Sequence, residues 1–209
     1  AFSGEGIAAM LRLSVVYLFI AVFWALFDQS GSTWVLQANK MDRQFMGIEW
    51  LPSQIGALNP VLILLFIPLY NQVLYPVVGR VFAITPLRKI SLGLFIATGS
   101  FLICALIETW IAAGERPNIV WQLIAYGIIT AAEVLVSITA LEFSYTQAPR
   151  KIKSFIMSLF LMSVSLGNLF TAIVNTVIQN PDGSSKLEGA SYFLFFAGMM
   201  FAAAVLFVP

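Results

Sequence analysis

Long apolar stretches separated by short polar turns dominate the pattern along this chain. Each stretch is long enough to cross the ~30 Å hydrocarbon core of a bilayer as a helix, which takes ~20 residues. No alternation of apolar and polar positions typical of β-strands competes with this interpretation. The pattern therefore predicts an all-α integral membrane protein with six transmembrane helices, at approximately 9–35, 53–79, 88–111, 118–147, 153–178 and 190–208.

Composition agrees with a membrane protein. Hydrophobic residues make up 60% of the chain and charged residues 10%, against roughly 45–50% and 25% in soluble domains. The net charge of +1 gives no sign of a nucleic-acid partner. The absence of histidine excludes imidazole-based catalysis and metal binding, and the single cysteine, Cys104, excludes an internal disulfide.

Basic residues indicate the orientation in the membrane, because cytoplasmic loops carry an excess of lysine and arginine. One side of the predicted segments collects Arg12, Arg80, Arg88, Lys89, Arg150, Lys151 and Lys153. This side, with both ends of the chain, is expected to be cytoplasmic. Tryptophans commonly anchor at membrane interfaces, and four map to the opposite, outer interface: Trp34, Trp50, Trp110 and Trp121.

Three acids fall inside the predicted segments, where a charge at the helix centre costs at least ~2.5 kcal/mol. At ~1.5 Å per helical residue, Asp28 lies ~24 Å from the inner edge and Glu142 ~12 Å from it. Asp28 could cap an outer turn, and Glu142 could pair with Arg150 or Lys151. Glu133 lies near the midplane and has no basic residue within several turns of its own helix. It is therefore the strongest candidate for a proton or amine site.

Other polar and aromatic residues extend this candidate site. Ser137 follows Glu133 by one helical turn and is expected on the same face. Trp24 and Asp28 have the same spacing on the first segment, and Asn59 adds an amide on the second. A lone polar residue in such a helix more often bonds to its own backbone or to a neighbouring helix. Together, these residues predict a small-molecule pocket with an aromatic wall.

Four motifs stand out in the chain: "FWALFDQSGSTW" at 23–34, "LNP" at 58–60, "EVLVSITALEFSYTQAP" at 133–149 and "SLFLMSVSLGN" at 158–168. Together they resemble the motifs of the proton-dependent oligopeptide transporter (POT) family. They occur in family order over nearly the whole chain. The resemblance implies one half, helices 7–12, of a major facilitator superfamily transporter, a fold whose six-helix halves contain inverted repeats. The six predicted segments and the missing initiator methionine agree with this expectation.

The resemblance assigns roles by position. Glu133 matches an acid that contacts the peptide amino end or a lysine of the other half. Ser137 matches a pocket hydroxyl, Asn59 an amide beside the peptide amino terminus, and Trp24 a pocket aromatic. Asp28 matches an acid that bridges to a first-helix cation in the extracellular gate and couples to protonation.

Two further positions complete the expected site. Phe160 stands where many members carry tryptophan, so the aromatic wall is kept but an indole donor and some volume are lost. Glu142, near the basic inner edge, is expected to be a structural or inner-gate residue.

The implied function is proton-coupled symport of di- and tripeptides across the cell membrane by alternating access. Protons are the coupling ion, with no other cofactor and no enzymatic activity. The family's proton-relay motif and carboxylate-binding cations lie in the N-terminal six-helix bundle, which is therefore the expected partner together with the lipid bilayer. This chain alone is not expected to transport.

Three alternatives are open from the residues. A non-transporting or proton-conducting membrane subunit would also contain mid-membrane acids, usually with lysine or histidine partners in the same chain. A related transporter could carry a non-peptide substrate. An intramembrane enzyme is disfavoured, because the chain has no histidine, no paired aspartates and no nucleophile beside a base.

Overall fold

Helices form nearly all of the secondary structure in the computed structural model, which describes residues 4–182 and 184–208. In chain order the α-helices are α1 (Gly4–Phe27), α2 (Thr33–Ala38), α3 (Leu58–Leu69), α4 (Tyr75–Val78), α5 (Pro86–Ala112), α6 (Val120–Glu133), α7 (Thr139–Gln147), α8 (Lys153–Ile178) and α9 (Ala190–Leu206). Tighter 3₁₀ turns cover Asp28–Gly31, Pro52–Ala57 and Arg150–Ile152, and wider π-helical turns cover Tyr70–Leu74 and Val134–Ile138.

Several of these helices run on into one another as membrane-length segments. Within the described residues, five segments are long and apolar enough to cross a membrane: Gly6–Ala38, Pro52–Val78, Pro86–Ala112, Val120–Gln147 and Arg150–Ile178. The last predicted segment forms α9, a shorter apolar helix of 17 residues. The all-α membrane fold expected from the hydropathy pattern is confirmed.

The helices pack around α5, which contacts α6 on one side and α9 on the other, while α1 packs along α8. Large apolar side chains, including Phe23, Phe101 and Phe196, fill the space between them and are fully buried. In contrast, α3 contributes no buried residue. One side of this bundle is therefore uncovered within the described chain.

Trp34 corrects one expectation from the sequence. Its side chain is fully buried rather than at an interface. It makes edge-to-face contacts with Tyr126 and Phe101, with ring centroids 4.8 Å and 5.7 Å away. The reason is that α2 continues the first segment beyond the Asp28–Gly31 turn and returns Trp34 to the core.

The loop between the first two segments contains a short hairpin that no apolar alternation predicted. Strand β1 (Gln44–Phe45) pairs antiparallel with β2 (Ile48–Glu49). The two turn residues, Met46 and Gly47, both have positive φ angles, of 54° and 76°. Two-residue hairpin turns of type I′ require this backbone conformation.

Candidate functional site

The side chains of Asn59 and Glu133 meet between two membrane segments. Asn59 lies in the first turn of α3, and its Nδ2 donates a hydrogen bond to Oε2 of Glu133 over 2.6 Å. The same nitrogen donates to Oγ1 of Thr130, 3.2 Å away and one helical turn before Glu133 on α6. Thr130 is fully buried, whereas Glu133 is half-buried. One amide thus links α3 to two polar groups on the same face of α6.

The carboxylate of Glu133 has capacity for a further partner. Among the described residues, no side chain donates to its second oxygen, Oε1, and the ion pairs join Lys40 to Glu108 and Arg43 to Glu49. A hydrogen bond from a cationic donor to a carboxylate is stronger than a hydrogen bond from a neutral donor. The geometry around Glu133 therefore suits a cationic group that comes from outside the described residues.

The helix that carries Glu133 is irregular just beyond it. The π-helical turn Val134–Ile138 begins at the next residue and contains Ser137. The four-residue spacing between Glu133 and Ser137 thus crosses a π turn rather than an ordinary α turn. On α5, Gly93 makes room for this turn, since a Cβ there would lie 2.6 Å from Cγ2 of Val136. Single π turns inside α-helices occur frequently at functional sites.

Asp28 lies where α1 gives way to the Asp28–Gly31 turn. Its Oδ2 accepts a hydrogen bond from Nδ2 of Asn168 on α8, over 2.6 Å. The two helices approach closely at Gly167, where a Cβ would lie 2.8 Å from the backbone nitrogen of Ala25. Asp28 and Glu133 are also near enough for their charges to interact electrostatically. Asp28 takes part in no ion pair among residues 4–182 and 184–208.

The aromatic residues of the predicted wall occupy different environments. Trp24 is half-buried and contacts Phe27 edge-to-face at 5.3 Å. Its indole nitrogen is buried and has no hydrogen-bond partner within the described chain. Phe160 is 5% exposed and packs edge-to-face on Tyr17 at 6.0 Å. Most of the Phe160 ring is thus enclosed by the helix bundle.

Glu142 lies apart from the other acids, on an exposed face of α7. The suggested pairing with Arg150 or Lys151 is not formed within the described residues. The physical reason is the end of the helix: α7 stops at Gln147, and Ala148 is extended with φ −75° and ψ 127°. The chain then turns away before the two cations.

Two residues of the candidate site, Thr130 and Asn168, were not predicted from the sequence. Thr130 shares the Asn59 amide with Glu133, and its position three residues before the acid was the available signal. Asn168 holds Asp28 and ends the quoted motif at 158–168. Within the described residues, no group of three or more histidine, cysteine, aspartate or glutamate side chains could hold a metal ion.

Comparisons with known proteins agree on one family. The sequence model of the POT family (PTR2) matches residues 3–201. Peptide transporter family 2 of Caenorhabditis elegans is 42% identical over 108 residues, which are 51% of this chain and 14% of that protein. Peptide transporter PTR2 of Saccharomyces cerevisiae is 27% identical over 211 residues, covering 94% of this chain and 34% of that protein.

Solved structures with a similar fold come from the same family. The crystal structure of an auto-inhibited POT family peptide transporter superposes with a TM-score of 0.89 at 36% identity. The match covers 97% of this chain and 40% of that one, so the chain corresponds to less than half of the proteins it resembles. The structure has the helical architecture of POT transporters of the major facilitator superfamily, as the motifs predicted. With nearly all of its length matched by the family model, this chain belongs to the POT family, whose members are multi-pass membrane transporters.

Proposed function

We propose that this chain is the C-terminal six-helix half of a proton-coupled symporter of di- and tripeptides that works by alternating access. The observation that carries the proposal is the hydrogen bond from Asn59 to Glu133, which joins two membrane segments. In a family of transporters, a polar contact there supports a central binding cavity. The peptide transporters named among the relatives support the substrate class.

Glu133 would receive the ammonium group of the peptide. Desolvating a charged amine is costly unless a partner compensates it, and Oε1 of Glu133 has no donor among the described residues. Asn59 would hold the carboxylate in position while the ammonium group binds. Trp24, Ser137 and Phe160 would line the same cavity.

Asp28 would act in the extracellular gate and in proton coupling. The Asn168 amide orients its carboxylate, and a cation of the N-terminal half would complete the closed gate. Protonation of Asp28 removes this attraction and favours the outward-open state. A proton then binds the two states with different affinity, which a conformational switch requires.

The N-terminal six-helix bundle would cover the open side of this one. No residue of α3 is fully buried and half of them are exposed, which supports contact with lipid or with another bundle. The basic residues at the inner side support a cell-membrane protein with both ends of this segment in the cytoplasm. Glu142, exposed on that side, would then serve an inner gate or the surface structure.

Uptake by the full-length transporter in liposomes tests the substrate and the coupling. An imposed pH gradient, acidic outside, should drive accumulation of labelled dialanine. Unlabelled dialanine should compete, whereas N-acetyl-dialanine, which lacks the ammonium group, should compete poorly. Equal competition by the two would contradict the assignment of Glu133 to the ammonium group. Driven uptake of a non-peptide solute alone would contradict the peptide class.

Asp28→Asn separates coupling from binding. Because the amide cannot take up a proton, the variant should lose gradient-driven uptake but keep counterflow exchange of dialanine. The matched control is Glu115→Gln, another acid-to-amide change at an exposed loop residue, which should keep driven uptake. An equal loss of driven uptake and exchange in Asp28→Asn would indicate misfolding rather than lost coupling.

A further inference from the structure

An apolar cleft opens at the inner end of the second and third membrane segments. It encloses about 440 Å³, and its walls include Leu74, Val78, Phe82, Leu92 and Leu135. We call it the inner cleft. Phe82 is 66% exposed and Leu92 45% exposed, so the cleft is open along one side. None of these residues belongs to the proposed transport cavity.

Two cations stand at the rim of the inner cleft, and both are held by neutral groups. The Arg88 guanidinium donates through Nη1 to the carbonyl oxygen of Ala83 over 2.9 Å. The Lys89 ammonium lies 3.8 Å from the centroid of the Tyr75 ring, which belongs to the opposite wall. Within the described chain, neither cation is in an ion pair. Both positive charges are thus uncompensated by a salt bridge.

Among the residues that the structure describes, no acid lines the inner cleft. Glu142 lies outside it but near enough to Tyr75 to act on that residue electrostatically. An anionic ligand at the rim would therefore meet two positive charges directly and one negative charge at a distance. The field at the rim favours an anion.

We propose that the inner cleft binds an anionic phospholipid. Its phosphate would lie between Arg88 and Lys89, and an acyl chain would cover the apolar wall. Arginine and lysine both bind phosphate oxygens through charge-assisted hydrogen bonds. Basic residues next to a membrane segment attract anionic lipids. A small soluble phosphate would leave the apolar wall uncovered, so the combination of charge and wall specifies an amphiphile.

Retention of phosphatidylglycerol by the full-length transporter, measured by native mass spectrometry, tests the proposal. The double variant Arg88→Gln/Lys89→Gln should bind it ~25-fold more weakly, at ~5-fold per cation, while phosphatidylcholine retention stays the same. The matched control, Arg150→Gln/Lys151→Gln, removes two inner-side cations away from the cleft and should change retention by less than about twofold. Glu142→Gln should strengthen binding. Equal losses in the two double variants would overturn a specific site.

Photocrosslinking locates the lipid independently. Phosphatidylglycerol with a diazirine in its acyl chain should label residues 74–92, and Leu92→Trp, which fills the cleft, should reduce that labelling. Glycerol 3-phosphate should not compete. Competition by it would identify a soluble-phosphate site instead, and absent labelling would show that the remainder of the transporter covers the cleft. These readouts need no transport, so failure here is distinct from failure of the peptide-symport proposal.

Discussion

Gly93→Ala tests whether the π turn beside Glu133 depends on close contact with α5. A Cβ at Gly93 would lie 2.6 Å from Cγ2 of Val136 and 3.1 Å from the carbonyl oxygen of Ala132. The first contact is with a side chain of the π turn and the second is with the backbone of α6 just before it, so this part of the helix must move away from α5. Overpacking of this kind costs ~1–3 kcal/mol, while exchanging glycine for alanine in a helix contributes up to ~1 kcal/mol of stability.

Gly99, on the same helix, provides a control for the higher helix propensity of alanine. A Cβ at Gly99 meets only Cγ2 of Ile128, at 3.9 Å, an ordinary contact. Gly99→Ala should therefore stabilise the protein by ~0.5–1 kcal/mol. The difference in unfolding free energy between the two variants is then the overpacking cost alone, ~1–3 kcal/mol. Unfolding of the full-length transporter in mixed micelles measures it.

The stability difference and the transport defect should appear together. Gly93→Ala should also raise the KM for dialanine, because the displaced π turn moves the helix that carries Glu133. Gly99→Ala should leave KM unchanged. If Gly93→Ala were as stable as Gly99→Ala, the close approach of α5 to the π turn would not exist in the protein, and the reasoning would fail.

Two further substitutions address other contacts of the site. In Gly167→Ala, the new Cβ would collide with the backbone of α1 and push α1 and α8 apart, so the melting temperature of the variant should fall. In Gly198→Ala, the new Cβ would meet no described atom within 4 Å, so the melting temperature should not fall. Thr130→Val removes one of the two acceptors of the Asn59 amide at nearly constant volume. The loss of one hydrogen bond of ~1 kcal/mol should raise the KM for dialanine ~5-fold, and Thr130→Ser should restore it. An unchanged KM in Thr130→Val would show that Thr130 does not position the amide.

The sequence was sufficient for the helical membrane fold and for singling out two residues whose side chains meet in the structure. Apolar stretches of membrane length leave the backbone few alternatives to helix. Asn59 and Glu133 were both predicted as polar residues of one pocket, although the hydrogen bond between them was not predicted. Both were single polar residues in long apolar surroundings, where a pattern is easy to detect.

The remaining features depend on tertiary contacts that leave little trace in a pattern. The π turn Val134–Ile138 has an ordinary apolar helical composition and is stabilised by how α5 packs against it. Trp34 is buried because its ring packs against Tyr126 and Phe101 of neighbouring helices, whereas sequence position alone placed it at an interface. The donor to Asp28 comes from Asn168, 140 residues away, and the closeness of α1 and α8 determines that pair.

The central claim is that proton-driven peptide transport requires Glu133, the acid proposed to receive the peptide ammonium group. Its most direct test is gradient-driven uptake of labelled dialanine by liposomes that contain the full-length transporter with Glu133→Gln, beside the exposed-acid control Glu115→Gln. Quantification of folded protein in each preparation normalises the rates. Glu133→Gln should abolish driven uptake while Glu115→Gln retains it. Uptake at the wild-type rate by Glu133→Gln would contradict the account.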